Sequence, residues 1–227
     1  MSPVPSVETE RGIPTHEQAL AHTEFVESDS SAHVALAVAV IAQTLSSAER
    51  PVLSTNFRPG AAALIALVIA QRADVPIIWV DTGFNTPATY RYIEGLRAKL
   101  DLNLLIFTPQ LTRARHAALH PAVPVPESDQ FVPFVESIKL EPFRRAFREL
   151  KPDVWLTGIR AEQSDYRQSL GVFSRGYQNT RRVAPLFDWT AAQVHAYITV
   201  CGLEDNVDFA DPTKPGERLE CGLQQLR

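Results

Sequence analysis

Four short segments hold residue types that can grip an anion or act as a nucleophile. In the first, Leu53-Ser-Thr-Asn-Phe-Arg-Pro-Gly-Ala, a strand pattern passes through small polar residues and a glycine into an apolar helix pattern. Such a junction exposes backbone N–H groups and the positive end of a helix, and Ser54 and Thr55 add hydroxyl donors. The lysine and spacing of a Walker loop are missing, so spacing alone leaves an anion cradle and a plain strand-to-helix turn evenly matched. The second is Val80-Asp-Thr-Gly-Phe, where Asp81 can hold a ligand hydroxyl or, more commonly, close an Asx turn. The third is Thr157-Gly-Ile-Arg-Ala-Glu-Gln-Ser: Gly158 admits a ligand to the backbone, and Arg160 can clamp phosphate or sulfate through paired hydrogen bonds. Arg175, Arg181 and Arg182 follow, either as further anion contacts or as solvated surface charge. The fourth is Glu220-Cys-Gly-Leu-Gln, a cysteine on a polar, Gly-flanked tail. Its thiolate becomes a nucleophile if neighbouring Arg or Lys residues lower its pKa. Cys201, ending the pattern Ala196-Tyr-Ile-Thr-Val, reads instead as a small core hydrophobe. The six histidines have no metal-ligand spacing with the two cysteines, so no metal is expected.

These segments need a scaffold, and the hydrophobic periods supply one. Strand patterns cover residues 51–55, 75–80, 103–108 and 153–158, and helix patterns cover 16–46, 61–72, 87–100 and about 139–150. Alternating β and α with near-continuous apolar strands predicts an open, mostly parallel twisted α/β sheet with helices on both faces. Ligands bind such sheets beyond the carboxyl ends of the strands, where the four segments are expected to fall. Residues 1–15 read as a mobile arm, 16–201 as a nucleotide-binding α/β domain, and 202–227 as a tail carrying Cys221. The Pro-rich connection at 121–133 is either a cover over the site or a surface strap.

Composition narrows the function classes. Of 227 residues, 45% are hydrophobic and 21% charged, which excludes a disordered, coiled-coil or fibrous chain. A net charge of -4 gives no global field for gripping nucleic acid, while a local basic cleft for a small anion remains open. The longest apolar run, 61–70, is ten residues, against roughly 20 needed to span a bilayer. The acidic N-terminus has no leader-like core, and two cysteines are too few for a disulfide framework or a four-cysteine cluster. A reduced, cytoplasmic protein is expected.

In order along the chain, Leu53-Ser-Thr-Asn-Phe, Asp81-Thr-Gly-Phe with Pro87-x-Thr-Tyr-Arg-Tyr-Ile, Ile138-Lys-Leu-Glu-Pro, Gly158-Ile-Arg-x-Glu-Gln-Ser, Pro185-Leu-Phe-Asp-Trp and Glu220-Cys-Gly-Leu form a set. Over about residues 45–227 the chain thereby resembles the phosphoadenylyl-sulfate (PAPS) reductases of the adenine nucleotide alpha-hydrolase-like group. The resemblance implies that the Cys221 thiolate attacks the sulfur of PAPS, displaces adenosine 3′,5′-bisphosphate and carries a cysteine S-sulfonate. Reduced thioredoxin or glutaredoxin then releases sulfite, without flavin or metal, in a homodimer. It further implies that Ser54, Thr55, Asn56, Phe57, Asp81, Thr82 and Gly83 frame the nucleotide. Lys139 and Arg160 would neutralise phosphosulfate charge, with Gly158, Gln163 and Ser164 in the same substrate-binding set. The paired-cysteine and C-x-x-C pattern of cluster-bearing adenylyl-sulfate (APS) reductases is missing, which favours PAPS and leaves a cluster-free APS reductase as an alternative. Four departures stand out: Gln224 where the family has His, Ala161 where it has a second Arg, Arg58-Pro59 where Gly or Ala is commoner, and residues 205–218 in place of a Gly-Tyr-x-Ser-x-Gly segment. They keep a non-catalytic nucleotide-binding or regulatory paralogue in view. An adenylyl-transferring enzyme ranks lower, because its Ser-Gly-Gly-x-Asp-Ser loop is absent.

Overall fold

The structure, a computed structural model, describes residues 28–120 and 122–213. The arm at 1–15, the first part of the helix pattern at 16–27, Cys221 and Gln224 lie outside the described residues. In chain order the larger elements are α1 (Ser28–Ser47), β1 (Pro51–Thr55), α2 (Ala61–Ile69), β2 (Ile77–Val80), α3 (Pro87–Leu100), β3 (Leu104–Phe107) and α4 (Arg113–Leu119). They continue with α5 (Phe131–Val135), α6 (Glu141–Leu150), β4 (Val154–Thr157), the one-turn α7 (Asp165–Gln168), β5 (Phe173–Arg175), β6 (Arg181–Val183) and α8 (Ala191–Val200).

The six strands form one sheet in the order β3-β2-β1-β4-β6-β5. Every pairing is parallel except that of β5 with β6. The predicted α/β architecture is therefore present, with two strands added from the arginine-rich stretch. Those strands are three residues each, Phe-Ser-Arg and Arg-Arg-Val, so no continuous apolar run announces them. Arg182 is not a solvated surface charge: it is buried, with its guanidinium carbon 5.8 Å from the Trp155 ring centre and Nε donating to Ser174 Oγ at 2.9 Å.

Strand alternation sends two sets of side chains to opposite faces. Leu53, Ile77, Leu156 and Val183 share one core with α1, α2, α3 and α8. On the other face Val52, Ile78, Phe107 and Trp155 pack against Phe143 and Phe147 of α6. Helix α2 is apolar on every side because its neighbours enclose it; residues Ala62 through Ile69 are all buried.

The helix expected near 139 begins earlier. From Phe131 to Leu150 the path is helical, interrupted by a π-helical turn at Glu136–Leu140. Pro142 has no N–H to bond the carbonyl four residues back, so the ladder must widen there. Such turns cluster at functional sites, and this one carries Lys139.

The chain leaves β1 toward β2 on one side and pairs with β4 on the other. That reversal opens a crevice above the carboxyl ends of β1 and β4.

Candidate active site

A cleft occupies this crevice. Its floor is a row of oxygen-bearing side chains at the strand ends, each held by a protein N–H. Ser54 Oγ accepts from Trp155 Nε1 at 2.7 Å, and Thr55 Oγ1 from the Phe57 amide at 3.0 Å. Asn56 Oδ1 accepts from the Arg58 amide at 3.3 Å, and Thr157 Oγ1 from the Ile159 amide at 3.2 Å. A hydroxyl whose oxygen already accepts keeps its proton to give, and the Asn56 amide keeps two. Among the described residues no acceptor takes these protons. The floor is thus a surface of donors, suited to a ligand with several anionic oxygens.

The loop above β1 is anchored from beneath. Phe57 takes a left-handed backbone conformation (φ 52°), unusual for a bulky residue, and its ring is fully buried, edge-on to Trp79 at 5.6 Å. Asn206 Nδ2 donates to the Phe57 carbonyl at 2.7 Å. Of the four predicted first-loop residues, Ser54, Thr55 and Asn56 line the cleft, whereas the Phe57 side chain serves the core. Gly60 follows with φ 88°, and a Cβ there would meet Val194 Cγ1 at 3.0 Å. Its amide, just ahead of α2, donates to both Asp205 carboxylate oxygens at 2.9 and 3.1 Å. The residues after α8 therefore run along the rim: Asp205 on the first loop, the Asp208 carbonyl on Thr86 and Thr89, and Asp211 on Lys139.

Two groups of cations flank the floor. Lys139 is 4% exposed, its Nζ 2.5 Å from Asp211 Oδ2 and 2.8 Å from Thr213 Oγ1. Burial pushes the Asp211 carboxyl up, but the Lys139 charge and hydrogen bonds from Lys139 and Thr213 outweigh it, leaving the carboxyl below the usual carboxylate range. Opposite, Arg160 and Arg167 meet through Gln163. Its Oε1 accepts from the Arg160 amide at 3.1 Å and from Arg167 Nη1, while Arg160 Nη1 pairs with Glu162. Burial draws the Arg160 guanidinium below its ordinary range; Glu162 opposes that and Arg167 adds to it by like charge. A guanidinium remains charged in proteins, so an anion settling between Arg160 and Arg167 relieves both costs.

The remaining predicted residues stand outside the cleft lining. Asp81 Oδ1 accepts from the Gly83 amide at 2.9 Å, Asn85 Nδ2 at 3.1 Å and Tyr90 Oη at 2.7 Å, so its carboxylate closes an Asx turn. Burial, reinforced by Asp81, raises the Tyr90 phenol to about 12. Thr82 Oγ1 accepts from the Phe84 amide, and Ser164 Oγ caps α7 by accepting from the Arg167 amide at 3.3 Å.

Residues 50–207 match the family model of the phosphoadenosine phosphosulfate reductase domain. The chain belongs to this family. It is 35% identical over 150 residues to the phosphoadenosine 5′-phosphosulfate reductase of Synechocystis sp., covering 65% of this chain and 59% of the relative. Identity to the Vibrio atlanticus enzyme of the same name is 37% over 157 residues, covering 67% and 58%. The chain thus spans about three fifths of the length of these relatives. Among solved structures, the Candida auris PAPS reductase in a phosphate complex superposes with a TM-score of 0.66 at 23% identity, covering 91% of this chain and 92% of that one. The Candida glabrata FMN adenylyltransferase in complex with ATP gives 0.56 at 15% identity, covering 80% and 62%. Both likenesses speak to the fold.

Within the phosphoadenosine phosphosulfate reductase family fold, the cleft also holds three residues that sequence reasoning did not single out. Asp211 lies 72 residues from its partner Lys139. Thr157 reads as the end of an apolar strand. Arg167 had a usable signal, since it stands four residues after Gln163, one helical turn on. Cys201 is the buried cysteine the sequence predicts: burial pushes its thiol up, a shift opposed by the hydrogen bond with Tyr197. No helix among the described residues is long and apolar enough to cross a membrane.

Proposed function

We propose that this protein reduces 3′-phosphoadenylyl sulfate to sulfite and adenosine 3′,5′-bisphosphate, with Cys221 as the nucleophile. The observation that carries the reading is the donor floor between Lys139 and the Arg160–Arg167 pair, in a chain of this family. The floor suits the phosphate oxygens of the nucleotide, and the flanking cations suit the phosphosulfate. As the S–O bond to the phosphate breaks, negative charge gathers on the departing bisphosphate, where fixed cations lower the barrier most.

In the first half-reaction the Cys221 thiolate bonds to the sulfuryl sulfur and the bond's electron pair leaves with adenosine 3′,5′-bisphosphate, giving Cys221–S–SO3⁻. In the second, a thiolate of reduced thioredoxin or glutaredoxin attacks Cys221 Sγ and expels sulfite. The partner's second thiol then resolves the mixed disulfide, loses its proton and restores Cys221. Thr213 sits against Lys139, eight residues before Cys221. Extended chain spans about 27 Å over that length, so the thiol has the reach to enter the cleft. The raised pKa and burial of Cys201 support Cys221 as the reacting cysteine. The same reading carries a cytoplasmic homodimer.

The test is mass spectrometry of the reduced protein after incubation with PAPS, and separately with APS, without reductant. A sulfonate on Cys221 with PAPS, absent in Cys221→Ser, is expected. Preference for APS keeps the mechanism and overturns the substrate. Nucleotide binding without any adduct would leave a nucleotide-binding paralogue, the outcome that Gln224 in place of the family's His would explain.

A further inference from the structure

Trp155 is 1% exposed and wedged in an aromatic slab, 5.3 Å from the ring centres of both Phe143 and Phe147, with the Arg182 guanidinium carbon over its ring at 5.8 Å. Its place is tightly specified: a Cβ on Gly176 would come within 2.8 Å of Trp155 Cε3. Packing alone would be met by a phenylalanine. What the indole adds is one N–H, and a buried indole N–H must find an acceptor. Here the acceptor is a cleft-lining side chain, Ser54 Oγ, at 2.7 Å. The register explains the reach. Trp155 pairs with Val52 and Ser54 with Thr157, so Trp155 and Ser54 are diagonal neighbours on one face of β1 and β4.

We propose that Trp155 is a positioning residue that sets the direction of the Ser54 hydroxyl. An indole N–H only donates, so Ser54 Oγ must accept, and its O–H cannot turn back toward the sheet. Among the described residues no other group bonds the Ser54 side chain. The proton is held toward the cleft before a ligand arrives, ready for an anionic oxygen of the nucleotide. Pre-orientation removes the cost of freezing that rotor on binding. The ligand named here rests on the reading under Proposed function; the Trp155–Ser54 coupling rests on the geometry.

The test is a double-mutant cycle read by calorimetry with adenosine 3′,5′-bisphosphate and, in parallel, adenosine 5′-phosphate, on wild type, Ser54→Ala, Trp155→Phe and the double variant. Ser54→Ala is expected to weaken binding about tenfold and Trp155→Phe about three- to tenfold, as for loss of one hydrogen bond. The double variant should bind no worse than Ser54→Ala alone, because Trp155 acts through Ser54. A purely structural tryptophan would lower stability and add its loss in full to that of Ser54→Ala. Indole N–H NMR supplies a second readout, since the chain has three tryptophans. The Trp155 signal should move in Ser54→Ala and on nucleotide addition to wild type; if it ignores Ser54→Ala, the proposal is overturned. Should Trp155→Phe fail to fold, Trp79→Phe and Trp189→Phe identify that signal by elimination. A wild type that binds neither nucleotide overturns the substrate reading. A wild type that binds while Trp155→Phe binds equally well overturns the role of Trp155 alone.

Discussion

On one face of the sheet, Leu53, Ile77, Leu156 and Val183 meet aliphatic side chains from α1, α2, α3 and α8, and Ala37 and Ile41 of α1 are wholly buried there. The other face meets one interrupted helical path through an aromatic slab, and its neighbours at the strand ends include Ser54 and Lys139. The part of the aliphatic face beneath α1 has little to lose but volume. The aromatic face carries polar groups on its edge, so its packing also fixes the direction of donors and cations above it. Stability and site geometry are separable beneath α1 and coupled along the aromatic slab.

Lys139→Met should break that contrast most sharply. It leaves the Asp211 carboxylate, only 11% exposed as a side chain, without its cation. Losing one partner of a buried pair costs about 3–5 kcal/mol, measurable by urea unfolding, and Lys139→Met with Asp211→Asn should recover most of it. Ile41→Ala, on the aliphatic face, should cost about 2–5 kcal/mol through its cavity, while nucleotide affinity of the folded protein stays unchanged in calorimetry. Arg160→Ala should do the converse, weakening PAPS binding by about 1.5–3 kcal/mol as its charged hydrogen bonds go, with an urea midpoint near that of wild type.

The smallest effect concerns pH. The Asp211 carboxyl is depressed when folded, so its stabilising share is complete above the unfolded value of about 3.9 and is lost as pH falls through the lower folded value. Acid unfolding curves of wild type should therefore fall more steeply below about pH 4 than those of Asp211→Asn. Parallel curves would show that the ion pair does not couple to the fold.

The strand-ending segments at 51–55, 75–80, 103–108 and 153–158 were legible because buried parallel strands need continuous apolar runs, and Ser54, Thr55, Asn56, Gly158 and Arg160 follow at their ends. Strands β5 and β6 were not, since three-residue pieces containing Arg175, Arg181 and Arg182 have the composition of a surface loop. At Asp81 the residues offered two roles, and the structure shows the commoner one: its carboxylate closes a turn against Gly83, Asn85 and Tyr90. Ser164 likewise serves a helix cap, a use any serine at that position shares.

Local chemistry along the chain thus determined the α/β class, the strand-end loops and the identity of Cys201 as a core thiol. Hydrophobic period and turn chemistry are properties of neighbouring residues, and a sequence displays neighbours. Only the tertiary structure decided that Asp211 meets Lys139, that Asp205 caps the loop before α2, and that Trp155 turns the hydroxyl of Ser54. Those contacts join residues 72, 145 and 101 positions apart. Polar pairs at such separations leave no period to read, because hydrogen bonds depend on distances of about 3 Å that exist only once the sheet has brought its strand ends together.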